Sequence, residues 1–152
     1  MEEFNTLEKV KELFNSVGCK GDENCYFVAL KDNRKAKSGF VGGMEYPYSG
    51  LLINATEKGL GMFYLNPEKI SDVFFKLDVS KLKITENSYF FIPNENIKEI
   101  KVKKYNIFSS KVKGVTIRTN DKKTHHLFAN LNESTIPYQS ENLDKFASKY
   151  EK

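Results

Sequence analysis

The chain is poor in the residues that most often carry chemistry. Of its 152 residues, two are cysteines, Cys19 and Cys25, and two are histidines, His125 and His126. The C-x5-C spacing has no second ligand pair, so neither a disulfide scaffold nor a structural zinc is indicated, and a reducing cytosol would keep both cysteines as thiols. As strand neighbours, His125 and His126 point to opposite faces and cannot jointly hold one metal ion. No third group is signalled that would orient a histidine beside a cysteine nucleophile. Gly42-Gly43 lacks the lysine and hydroxyl of a phosphate-binding loop. An enzyme is therefore not expected, nor a metal or cofactor.

Long apolar runs are missing as well. No stretch approaches the roughly 20 apolar residues that span a bilayer, and MEEFNTLEKV is acidic where a secretory signal is basic and then apolar. A cytoplasmic location without a transmembrane segment is the expectation.

What is present is enough for one ordinary domain over residues 1–152, burying roughly two-thirds of the surface of the unfolded chain. Twelve phenylalanines and eight tyrosines exceed what a disordered chain carries, so aromatics should build the core. Residues 5–17 read as an amphipathic helix: Leu7, Val10, Phe14 and Val17 recur at helical spacing, with Leu13 widening the stripe. Asn5 and Glu8 suit a capping box, and Gly18 suits a left-handed stop.

CYFVALKD at 25–32 is a strand apolar on both sides, as a covered strand is. Residues 33–50 hold four of the nine glycines together with Arg34, Lys35 and Lys37, without periodicity, and read as a long surface loop. GLLINATEKGLGMFYLN forms a hairpin, with strands near 51–55 and 60–65 around Thr56 to Gly59, closed by Asn66-Pro67. In 68–87, Val73, Phe74, Phe75 and Leu77 fit a strand or the middle of a helix, while Leu82 and Ile84 alternate as a strand does; strand is the reading adopted for both.

From 88 to 130 three or four strands follow one another as a meander, punctuated by Pro93-Asn94, Asn106, Gly114 and Asn120-Asp121. Ile100, Val102, Val115 and Ile117 share the core face, which leaves Lys101, Lys103, Thr116 and Arg118 opposite. A last helix at 140–151 carries Leu143, Phe146, Ala147 and Tyr150 on one side, with Ser140 as its cap. Its acidic residues come early and its lysines late, the order that the helix dipole favours.

Charge is concentrated. Between Lys98 and Lys123 nine basic residues face two acidic ones, a local +7 within a chain whose formal net charge is +4, so the remainder carries −3. Such a stripe can attract the phosphates of lipid or nucleic acid, although solvated lysines that protect sheet edges are the commoner case.

The order of strand, loop, hairpin, strands, meander and closing helix resembles the pleckstrin-homology-like superfold, in particular its small bacterial, GRAM-like members. GLLINATEKGLGMFYL resembles the family's early hairpin, FIPNENIKEIKV its strand-turn-strand step, and GVTIRTNDKKTHHLFAN with NLDKFASKY its last hairpin and helix. The likeness covers about residues 23–151 and leaves the helix at 5–17 as an addition. It implies a mostly β, α+β fold in which two antiparallel sheets form a partly open barrel over 25–130, with the C-terminal helix plugging one end. Two departures stand out: the chain has no tryptophan, where eukaryotic members usually place one in the closing helix and Phe146 stands here, and residues 66–87 are longer than the usual connection.

The resemblance further implies a binding or adaptor module for a protein segment, or weakly for an acidic membrane surface. Arg34, Lys35 and Lys37 occupy a loop comparable to the family's lipid-binding one, without its longer basic pattern. The other reading is a small β-barrel that binds nucleic acid, with Lys101, Lys103, Lys113 and Arg118 on phosphates and Tyr89 or Tyr105 as a stacking platform.

Overall fold

A computed structural model describes residues 2–32, 48–68 and 78–151. The expected strand or helix around Val73–Leu77 and most of the 33–50 loop, including Arg34, Lys35 and Lys37, lie outside the described residues. The elements are α1 (Leu7–Ser16), β1 (Asn24–Lys31), β2 (Gly50–Thr56), β3 (Gly59–Pro67), β4 (Leu82–Ile84), β5 (Phe90–Pro93), β6 (Ile97–Asn106), β7 (Ser109–Thr119), β8 (Thr124–Asn130) and α2 (Gln139–Tyr150). The fold is α+β and mostly β.

One antiparallel sheet of eight strands runs β4-β3-β2-β1-β8-β7-β6, with β5 also pairing with β3. Where two sheets were expected, β1 and β8 join the two halves into one through just two registered pairs, Leu30 with Phe128 and Lys31 with Leu127. Among the described residues the sheet does not close on itself.

The narrow seam leaves most of the β8-facing edge of β1 without a strand, and α2 takes that place. Gln139, buried at 1% exposure, accepts from the Val28 N–H at 2.8 Å and donates to the Val28 carbonyl at 2.8 Å and to the Asn130 carbonyl at 3.2 Å. Asn142 accepts from the Tyr26 N–H at 3.0 Å. Two side chains of the helix thus do for β1 what a neighbouring strand would, which buried backbone groups require. Leu143, Phe146 and Ala147 fill the concave side beneath, where the Phe146 and Phe27 rings lie 4.7 Å apart.

Two cores result, one on each side of the sheet. Phe27, Leu51, Ile53, Met62, Val102, Ile117 and Leu127 pack with α2, while Tyr26, Val28, Leu52, Phe63 and Leu65 pack on the opposite face with Phe4, Val10 and Phe14 from the α1 segment. The two-sided apolarity of 25–32 is explained by this sandwiching. Among the described residues β6 and β7 are covered on one side only, and β6 accordingly alternates in sequence.

Several local expectations shift. Thr6, and not Asn5, caps α1, its hydroxyl accepting from the Lys9 N–H at 3.2 Å; Gly18 ends the turn with φ +76° as anticipated. α2 begins at Gln139, one residue before the Ser140 cap position, and the Asn142 side chain reaches back to the Tyr138 carbonyl at 2.9 Å. Gly114 is not a turn residue. It sits within β7 opposite Lys103 and Phe128, and the reversal falls instead at Ile107-Phe108, between paired Asn106 and Ser109.

Candidate functional site

Strand alternation puts Glu99, Lys101 and Lys103 of β6 and Thr116 and Arg118 of β7 on the solvent face of the meander, as the sequence indicated. Lys101, Lys103, Thr116 and Arg118 border a shallow hollow of about 220 Å³ to which Lys104, Tyr105, Asp32 and His126 also contribute. Lys104 lines the hollow as well, although in the ladder it pairs with Lys113, and the strand is bulged just beyond it, between Lys104 and Asn106. Two carboxylates temper the charge. Glu99 lies 3.3 Å from the Lys101 ammonium and 4.0 Å from the Arg118 guanidinium, all three well exposed. Asp32 is buried at 3% exposure and accepts from the Tyr105 hydroxyl at 3.4 Å.

Lys113 does not join this face. It shares the alternation of Val115 and Ile117, and its ammonium is drawn to Glu151 just beyond α2, at 3.0 Å. The two tyrosines proposed as stacking platforms are also engaged: Tyr105 packs on Phe128 at 4.8 Å, and Tyr89 on Phe63 at 5.2 Å. Tyr89 belongs to the α1 side of the sheet, where burial and its hydrogen bond to Cys19 push its phenol pKa up. Arg34, Lys35 and Lys37 are among the residues not described.

A second concavity was not foreseen. Tyr64, Phe90, Phe91 and Ile92 line one side of a cleft of about 620 Å³, and the β7–β8 turn, from Thr119 to Lys123, lines the other. At its inner wall His125, buried, shares a hydrogen bond of 2.7 Å between its Nδ1 and the Tyr48 hydroxyl. Desolvation, with a smaller contribution from Lys123, lowers the His125 pKa to about 4, so the ring is neutral at pH 7. The alternation that assigned Ile117 and Val115 to the core also pairs His125 with Ile117, a signal available in the sequence.

Cys19 and Cys25 are free thiols, both buried, and burial raises both pKa values. Asn54, with no exposed surface, donates to the Cys19 carbonyl at 3.3 Å and to Asn24 at 3.1 Å. Among the described residues no three His, Cys, Asp or Glu side chains converge as metal ligands.

The most exposed apolar side chains in the described structure are at the tip of the β6–β7 hairpin, Ile107 at 88% and Phe108 at 90%. Asn106 fixes the turn by accepting from the Phe108 N–H at 2.9 Å, and neither tip residue has a positive φ. No helix among the described residues is long and apolar enough to cross a membrane. Comparison with protein-family models, with curated proteins and with solved structures finds no match.

Proposed function

We propose that the chain is a non-enzymatic binding module of pleckstrin-homology-like architecture that engages an anionic surface through the solvent face of β6–β8. The architectural part rests on the likeness carried by the sequence phrases; the described residues form one open antiparallel sheet with the C-terminal helix against β1. One observation carries the functional part: Lys101, Lys103, Lys104 and Arg118 gather around a shallow hollow on a sheet face that neither described helix covers. Glu99 and Asp32 within the same patch argue against a tight headgroup pocket and for diffuse attraction. The anionic cytoplasmic leaflet is a surface of the right sign.

Sedimentation with phosphatidylserine vesicles at low and at physiological salt tests this reading. Binding should be present at low salt, weaken several-fold as salt rises, and not discriminate a single phosphoinositide. Salt-resistant, headgroup-specific binding would overturn it, and so would the absence of binding at any salt. Preference for single-stranded oligonucleotides over vesicles would favour the nucleic-acid alternative.

A further inference from the structure

We infer that the β6–β7 hairpin is a membrane-inserting wedge, with Ile107 and Phe108 entering the headgroup–acyl boundary of an anionic bilayer while the lysines behind them remain among the headgroups. This rests on the anionic-surface reading and names the surface as lipid. Single exposed apolar residues are ordinary, but two adjacent large ones, 88% and 90% exposed, at the point of a hairpin are not. A two-residue hairpin turn is normally built from asparagine, aspartate or glycine. Here Asn106 supplies the turn's hydrogen bond from outside it, and the two turn positions go to an isoleucine and a phenylalanine whose side chains are almost wholly exposed among the described residues. A local rule broken without a packing gain marks a functional position.

Charge identifies the occupant. The segment 101–113 that carries the tip holds five lysines and no acidic residue; Lys113 is turned to Glu151, and Lys101, Lys103, Lys104 and Lys111 make the collar. Lys104 and Lys111 stand three residues from the tip on either strand. At about 3.3 Å per residue they sit roughly 10 Å behind it, close to the depth to which interfacial apolar side chains bury. Tyr105, between lysines and tip, is half-buried with its ring on Phe128, and its aromatic character suits the same interfacial level. A protein groove would accept the apolar pair but gives no reason for a collar of lysines on both strands; an anionic bilayer accounts for both.

The chain contains no tryptophan, so Phe108→Trp creates a single fluorophore at the tip. With phosphatidylserine vesicles at low salt, its emission should shift to the blue and be quenched by lipids brominated on the acyl chain. Ile107→Ser with Phe108→Ser should weaken vesicle binding about tenfold or more while leaving heparin binding, which needs only the lysines, unchanged. Because both side chains are exposed, the double variant should keep the wild-type unfolding midpoint. Vesicle binding without a blue shift or quenching, or unaffected by the double serine change, would overturn insertion and leave the basic-face reading in place. No vesicle binding by the wild type at any salt would remove both. Self-association of the wild type that the double serine change abolishes would overturn the lipid assignment in favour of a second copy.

Discussion

His125 is the residue whose environment most clearly sets a measurable property. Its imidazole is buried between Tyr48 and the Phe90 ring, at centroid distances of 5.9 and 6.3 Å, and folds as the neutral form with a pKa lowered to about 4. In the unfolded chain the same group titrates near 6.5. Between these values the unfolded state binds more protons, so stability rises with pH across that window and is lost as pH falls from about 6.5 to about 4. The loss from this one group should reach about 2–3 kcal/mol, and His125→Phe should flatten that part of the profile, as read from urea midpoints at pH 7 and pH 4.5. An unchanged slope in the variant would mean that other groups dominate acid sensitivity. The cysteines give a second expectation at this scale. Both thiols are buried with raised pKa values, so a thiol reagent should react with neither in the native protein at neutral pH and with two per chain after denaturation. Rapid native labelling would contradict the packing of Cys19 beneath Asn54 and Tyr89 or the burial of Cys25, whichever residue is labelled.

At the scale of elements, α2 acts as a surrogate strand. Gln139→Ala would leave the Val28 N–H and carbonyl facing an emptied site, and since each buried unpaired group costs about 1–3 kcal/mol, a loss of roughly 2–4 kcal/mol is expected. Gln139→Glu should be worse at pH 7 than at pH 5, because a carboxylate can accept from Val28 but cannot donate to it, while protonation restores a donor. Thermal unfolding at the two pH values, each compared with the wild type, checks both; a Glu variant as stable as wild type at pH 7 would show that the helix only covers the strand. The sequence made α2 legible as a helix with Leu143, Phe146 and Ala147 inward, since 3.6-residue periodicity reports which side is buried. It could not reveal Gln139 as a hydrogen-bonding strand mate, because its partner at Val28 lies 111 residues away and no local pattern encodes it. The meander shows the same division. Two-residue periodicity correctly placed Lys101, Lys103 and Arg118 outward, and applied consistently it would have placed Lys113 inward with Val115. Gly114 misled as a turn signal, since glycine also serves within strands, whereas Asn106 did mark the reversal, which its side chain holds while the two turn positions go to Ile107 and Phe108.

Across the whole molecule, the two cores share one set of strands. β1 to β3 present Phe27, Leu51, Ile53 and Met62 to α2 and, from alternate positions, Tyr26, Val28, Leu52 and Phe63 to the α1 segment, so the same backbone supports both sides. Tyr138, at the entry to α2, donates to the carbonyl of Phe4 at 2.5 Å and ties the α1 segment to the α2 segment. The N-terminal helix, which the sequence presented as an addition, packs on the same strands that support α2, so unfolding of either core should strip strands from the other. Phe14→Ala and Phe146→Ala each empty a site with almost no exposed surface, one against Phe63 at 5.1 Å and the other against Phe27 at 4.7 Å. Each should cost about 3–5 kcal/mol. If the cores are one cooperative unit, both variants should shift a single urea transition, followed by far-ultraviolet dichroism and by tyrosine fluorescence, to lower midpoints with the slope unchanged. If α1 were a separable appendage, Phe14→Ala would instead give an early minor transition or a reduced slope, with the main midpoint held near wild type. Coincident shifts in both probes would make the helix at the front of the chain as much a part of the fold as the one that ends it.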